Sequence, residues 1–146
     1  MLACYIERYG DAGVVVMGEQ PEPKPADGQV VFQMHAASVN PIDYKTRSGM
    51  VKALLPYRMP LILGSDAAGV VTEVGLGVTG YQPGDRVASR LSKDRIGAFA
   101  EKVVAHTDQL AKIPGEVSFS QAAAVALAGL TAWQCLTEVL KVGPSQ

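Results

Sequence analysis

Cysteine is scarce in this 146-residue chain, with only Cys4 and Cys135 present. Two thiols so far apart in sequence make no disulfide framework, which points to a reducing compartment, expected here to be the cytosol. Both are read as small buried apolar residues. Histidine is equally sparse, at His35 and His106. A zinc site would have to recruit four remote segments with no Cys-x-x-Cys or His-x-x-x-His pairing, so no metal is expected. There is no run of basic residues, and 13 Lys and Arg against 14 Asp and Glu leave a formal charge of −1. That removes the electrostatic footprint of a nucleic-acid binder or of a protein held by an anionic membrane. The longest apolar run, Ala122 to Leu130, falls short of the about 20 residues a bilayer span needs, so no membrane partner is expected. Glu7, Arg8 and Asp11 break up any signal-peptide core. Neither a G-x-x-x-x-G-K-[ST] nor a G-x-S-x-G string occurs, which argues against an NTPase or an α/β-hydrolase.

What is present is a globular composition, 48% hydrophobic, of a size for one domain with its own core. Leu2 to Tyr9 and Val14 to Gly18 form a hairpin pattern around Gly10-Asp11. Gln29 to Asn40 alternates as a long strand with one solvated face would. Pro41 opens a short helix to Ser48 that Gly49 closes. Strands are expected at Gly69 to Val74, Arg86 to Ser89, Gly97 to His106 and Gln109 to Ile113. Two helical stretches follow. Ser118 or Ser120 caps Gln121 to Ala124, and Ala128 to Leu140 has apolar residues at helical spacing. Many short strands followed by a helical tail suggest a mainly β, α+β fold built on a distorted barrel. Gly75-Leu76-Gly77-Val78-Thr79-Gly80 matches the dinucleotide fingerprint by letter and follows a strand. Pro83 and Gly84 come too soon after it for the helix that a phosphate site requires, so the segment is read as two turns.

The block LGSDAAGVVTEVGLGVTGYQPGDRV from Leu63 to Val87 and the upstream Val39-Asn40-Pro41-Ile42-Asp43 resemble the medium-chain dehydrogenase/reductase superfamily, over nearly the whole chain. Zinc alcohol dehydrogenases carry Gly-His-Glu where this chain has Gly64, Ser65 and Asp66, and a cysteine where it has Asn40. A seryl hydroxyl is a poor ligand for zinc. The resemblance therefore narrows to the zinc-independent quinone oxidoreductases and their enone-reducing relatives. It implies a GroES-like catalytic domain over residues 1–122. Residues 123–146 would be a helical segment leading toward a nucleotide-binding domain outside this chain. It further implies reduction of quinones or α,β-unsaturated carbonyls by NADPH or NADH, bound mainly by that other domain, and leaves a homodimer open. A non-catalytic GroES-like binding module and a redox-inactive interaction protein remain as alternatives, since fold alone does not give function.

Asn40 leads the site candidates. Its amide is able to orient a carboxamide or polarise a carbonyl, and the resemblance places it beside the nicotinamide. Without that, it reads as a strand-end residue satisfying local backbone. Tyr44 offers a phenol to a substrate carbonyl, and Lys45 a cation to an enolate or a cofactor phosphate. A similar Asn-Pro-x-Asp-x-Lys string in chloroplast-type quinone reductases favours Lys45, while a solvated lysine and a half-buried tyrosine are the alternative. Asp43 is read as a local cap and Ser65 as part of a turn. Asp66 bonds to backbone or pairs with a cation, with no catalytic role. Thr131, in Ala128-Gly129-Leu130-Thr131-Ala132-Trp133, lies where the resemblance implies contact with the nicotinamide half of the cofactor. Otherwise it bonds back to its own helix. Gly129 marks either a close approach or a helix boundary near Ala128, and Trp133 is expected in the core. A wall that faces a second domain would leave an apolar patch near Leu127 to Trp133.

Overall fold

A computed structural model describes residues 1–143. β3, Gln29–Ser38, is the strand on which the rest is assembled. Val30, Val31 and Phe32 are all fully buried, so the expected solvated face appears only toward the far end of the strand, where His35 and Ala37 are exposed. β3 pairs antiparallel with β5, Asp66–Val74, and with β7, Lys102–His106. β6, Arg86–Arg90, and β8, Leu110–Lys112, extend the sheet to the order β7-β3-β5-β6-β8. The expected hairpin forms as β1, Leu2–Ile6, and β2, Val15–Glu19, paired from Leu2↔Glu19 to Ile6↔Val15. A two-residue strand that the sequence did not reveal, β4 Leu61–Ile62, completes this second sheet as β2-β1-β4. The sheets are stitched where Cys4 N donates to Phe99 O at 2.7 Å and Phe99 N to Leu63 O at 2.8 Å. The result is the expected distorted barrel, built from two sheets.

Two apolar clusters divide the five-stranded sheet. Val30, Phe32, Ala67, Val71 and Val87 fill the barrel interior. Each large side chain moved there from water contributes about 1.5–3 kcal/mol. On the opposite face, Ala68 and Ile113 receive Ala122 and Ala123 from the C-terminal helix, α2. α2 runs unbroken from Phe119 to Gln134 and continues as a π-helical turn over Cys135–Val139. Ser118 caps it, its Oγ accepting from Gln121 N at 3.2 Å while Gln121 Oε1 accepts from Ser118 N at 2.9 Å.

The tail departs from the sequence reading in four respects. It is one helix and not two, and it passes straight through Gly129, where an added Cβ would meet only Val125 Cβ at 3.3 Å. Trp133 is 66% exposed and not core, because nothing within the described residues covers that face. Cys135 is likewise exposed, and Cys4 only half-buried. Finally, Phe119–Val139 is 21 residues long with a mean hydropathy of 1.3, enough by length and composition to cross a membrane. Counting only the uninterrupted apolar run overlooked Thr131 and Gln134, which a helix tolerates because its backbone polar groups are paired internally. The expectation of no membrane partner loses that support.

The glycine-rich string behaves as turns. β5 ends at Val74, no helix follows before β6, and Gly77 and Gly80 have φ of +72° and +83°. Gly75 is needed for another reason. Its N–H donates to Gln29 O at 2.8 Å, and a Cβ there would lie 2.0 Å from Ala26 O.

Candidate functional site

The site grows from the end of β3. After Ser38 the chain turns through Val39 into α1, Pro41–Ser48, the helix expected from the sequence. Asn40 occupies the N-cap with extended backbone (φ −119°, ψ 158°), Pro41 supplies the first helical residue, and Gly49 ends the helix at φ +83°. Asp43, one turn in, returns its carboxylate to the helix start, where Asn40 N donates to Asp43 Oδ2 at 2.7 Å. The other oxygen, Oδ1, accepts from Ser65 Oγ at 2.8 Å. Asp43 is thus a cap, as expected, but also the tie between α1 and the segment entering β5. It is only 3% exposed, and burial pushes its carboxyl above the usual range; the bonds from Asn40 and Ser65 pull the other way.

Asp66 opens β5 directly opposite Ser38 in the β3–β5 ladder and is fully buried. Its Oδ2 accepts from Ser38 Oγ at 2.6 Å and from Asn40 Nδ2 at 2.9 Å. Asn40 Nδ2 also donates to Ser38 Oγ at 3.1 Å. Asp66 therefore pairs with neither backbone nor a cation; its partners are two neutral side chains. Its Oδ1 is buried without a partner. Ser65, 4% exposed, is a buried bridging residue as well as part of a turn. The five residues Ser38, Asn40, Asp43, Ser65 and Asp66, around the β3–α1 and Gly64–β5 junctions, thus form one hydrogen-bonded group. Among the described residues no three His, Cys, Asp or Glu side chains are grouped to hold a metal ion.

Asn40, 9% exposed, is held through its amide nitrogen, which shares one hydrogen between Asp66 Oδ2 and Ser38 Oγ. The second hydrogen and the acceptor oxygen are what the amide has left for a ligand. Tyr44, by contrast, is 50% exposed on α1, and Lys45 is half-buried next to it. Neither side chain has a hydrogen bond or ion pair among the described residues. Asn40, Tyr44 and Lys45 share one short helix. Thr131 is apart from them, exposed on α2, with its Oγ1 donating to Leu127 O at 2.8 Å.

Two features were missed from the sequence. Ser38 completes the Asn40–Asp66 triangle, and only the strand register brings it there. Arg86 pins the start of α2, donating to the carbonyls of Pro114, Gly115 and Val117 while lying 4.7 Å over the Phe119 ring. Beyond that clamp, an apolar groove of about 780 Å3 runs between α2 and β6 and β8, with Val125, Leu130 and Trp133 on its helical side. It does not include Asn40, so it is distinct from the hydrogen-bonded group. It does correspond to the apolar patch expected near Leu127 to Trp133.

Comparison with known proteins gives these features a context. Residues 26–115 match the alcohol dehydrogenase GroES-like domain. A chloroplast envelope quinone oxidoreductase homolog of Arabidopsis thaliana is 43% identical over 117 residues, covering 80% of this chain and 36% of that protein. A mitochondrial NAD(P)H oxidoreductase of Mus musculus is 37% identical over 123 residues, covering 76% and 31%. The crystal structure of Escherichia coli quinone oxidoreductase complexed with NADPH superposes with a TM-score of 0.91 at 32% identity, covering 100% of this chain and 43% of that one. The chain thus spans about a third of the length of the curated relatives it matches. Their names also overturn the cytosolic location expected from the two thiols: these relatives are assigned to a chloroplast envelope and to mitochondria. Unpaired cysteines report a reducing environment and do not tell one reducing compartment from another. The chain belongs to the alcohol dehydrogenase GroES-like domain family, in the quinone oxidoreductase-like branch of the medium-chain dehydrogenase/reductase superfamily.

Proposed function

We propose that this chain is the catalytic domain, over residues 1–122, of a zinc-independent oxidoreductase that reduces quinones or α,β-unsaturated carbonyls with NADPH or NADH. Residues 123–146 would lead toward a nucleotide-binding domain. The observation that carries this reading is the Ser38–Asn40–Asp43–Ser65–Asp66 group. By the resemblance, Asn40, Ser65 and Asp66 stand where the zinc branch carries cysteine, histidine and glutamate, and here they are tied to one another, to Ser38 and to Asp43 by hydrogen bonds. Serine and asparagine side chains so engaged make a poor zinc site.

The cofactor supplies the hydride. The residues here fit its nicotinamide end only, since the Gly75–Gly80 turns are followed by no helix that would hold a pyrophosphate. Asn40 is positioned to accept from a carboxamide. Tyr44 and Lys45, about 100° apart around α1, are free donors. Tyr44 bonds the substrate carbonyl oxygen and delivers a proton there, with solvent as the other source, and Lys45 holds negative charge on an enolate or a cofactor phosphate. Thr131 borders the nicotinamide half. The exposed face of α2, with Leu130 and Trp133, is the wall the second domain would cover.

Expression of the full-length gene product, followed by NADPH- and NADH-dependent reduction of a quinone and an enone, tests this reading. Activity that persists after chelation, with no zinc in elemental analysis, is the expected result. About one tightly held zinc per chain would overturn the zinc-independent assignment. For residues 1–146 alone we expect negligible NADPH binding by calorimetry, and micromolar affinity would place a phosphate site in segments assigned here to turns.

A further inference from the structure

We propose that Asp66 is a positioning residue, whose carboxylate fixes the Asn40 side-chain amide with its nitrogen inward and its oxygen toward the cleft. The inference deepens the reading above and rests on Asn40 lining the cofactor end of the site.

The assignment follows from counting protons. An ionised carboxylate only accepts, an amide nitrogen only donates, and a serine hydroxyl does one of each along this triangle. Ser38 Oγ, 2.6 Å from Asp66 Oδ2, donates its hydrogen there. Its lone pairs and Asp66 Oδ2 then share the inward hydrogen of Asn40 Nδ2, at 3.1 Å and 2.9 Å. Turning the amide over would set its carbonyl oxygen against the carboxylate and leave Ser38 Oγ without a donor. An acceptor-only group at position 66 therefore allows one orientation of Asn40. An asparagine there would have the same shape but would accept or donate with equal ease, so it would not choose.

The placement argues against a role in stability. Asp66 is fully buried, no cation pairs with it among the described residues, and its Oδ1 has no hydrogen-bond partner. A buried carboxylate held in that state costs the fold free energy that a neutral isostere would not. What the charge supplies is direction. An outward oxygen on Asn40 recognises an N–H donor, such as a carboxamide.

Asn40 is the only asparagine in the sequence, so selective [15N]asparagine labelling reports a single side-chain amide. In the wild-type chain the amide proton held by Asp66 should exchange with solvent at least about tenfold more slowly than in an unstructured asparagine, as bonded, buried donors do. Asp66→Leu should abolish that protection. Asp66→Asn should split the Asn40 signals into two sets, one per orientation, with the introduced amide identified from the Asn40→Ser, Asp66→Asn double variant. Asp66→Asn, which keeps an acceptor for Ser38, should melt near the wild-type temperature, while Asp66→Leu, which strands two donors, should melt lower. Unchanged Asn40 protection, or loss of the folded spectrum in both variants, would overturn the proposal and make Asp66 inert or a folding residue. In the full-length gene product the same variants should raise the KM for the nicotinamide cofactor more than they lower kcat. If the amide reorients and kinetics do not change, the positioning stands and the placement of Asn40 at the cofactor falls.

Discussion

Replacing Asp43 in two ways should separate its charge from its hydrogen bonds. The carboxylate holds the Asn40 N–H at 2.7 Å and the Ser65 hydroxyl at 2.8 Å while 3% exposed. Asp43→Ala removes a charged acceptor from the first N–H, at about 1.5–3 kcal/mol, and strands a buried hydroxyl, at about 1–3 kcal/mol. Release of the buried charge offsets part of this, so we expect a net loss of about 3 kcal/mol. For a domain of this size that corresponds to a fall of roughly 10 °C in Tm. Asp43→Asn keeps both links, because the amide oxygen takes the Asn40 N–H and the amide nitrogen donates to Ser65 Oγ, which accepts as readily as it donates. It should stay within about 1 kcal/mol of wild type.

The two proteins should differ in pH dependence. Burial raises the Asp43 carboxyl above its ordinary 3.8, so between that value and the folded one the native state binds more protons than the unfolded state. Stability from this group is full below the unfolded value and is lost as pH rises through the folded value. Glu22 and Asp85, lowered by Lys102 and Lys112, act with the opposite sign but are common to both proteins and cancel. Thermal melts of wild type and Asp43→Asn from pH 3 upward should therefore show the wild type losing ground as pH rises. A gap moving the other way, or Asp43→Asn as damaging as Asp43→Ala, would refute the argument.

Gly75→Ala drives a Cβ to 2.0 Å from Ala26 O and should cost about 3 kcal/mol. Gly77→Ala, at φ +72° in open space, should cost about 1 kcal/mol; equal urea midpoints would contradict this ordering. Arg86→Met removes three bonds to the carbonyls ahead of α2 and should cost about 2 kcal/mol, with faster hydrogen exchange confined to the first turns of α2. Trp133→Gln should change stability by less than about 0.5 kcal/mol; the bare apolar face should make residues 1–146 self-associate in sedimentation experiments, and this substitution should weaken that association. Thr131→Ala should leave stability unchanged and raise the KM for NADPH in the full-length gene product with kcat preserved; no kinetic effect would remove Thr131 from the site.

Where local chemistry decides, the sequence was readable. Pro41, Asp43 and Gly49 set both ends of α1, and the Gly10-Asp11 hairpin and the turn reading of Gly75–Gly80 rest on equally local signals. β4 escaped because two residues carry no periodicity. The sequence separates a stretch at Gln121 to Ala124 from one at Ala128 to Leu140, yet Val125, Ala126 and Leu127 between them sustain a helix, and the single Gly129 costs only about 1 kcal/mol. Trp133 was misplaced for a different reason: a side chain's burial depends on what covers it, and a sequence shows no neighbours. The same holds for the site. The motif singles out Asn40, but not the side chains that hold its amide, because Ser38 and Asp66 meet only through a strand register 28 residues apart in sequence.

The anchoring of α2 has a mechanical consequence. Its first turns are bolted to the sheet by Ala122, Ala123 and the Arg86–Phe119 clamp, while Val125 to Leu140 projects with one face bare. At 1.5 Å per residue, the distance from Ala123 to Val139 is about 24 Å. A helix held at one end over that length is a lever whose fulcrum lies on β5. Its neighbour there, Ala68, is two residues from Asp66, so a load on the outer end of α2 would be felt as torque at the strand that carries the Asn40 clasp.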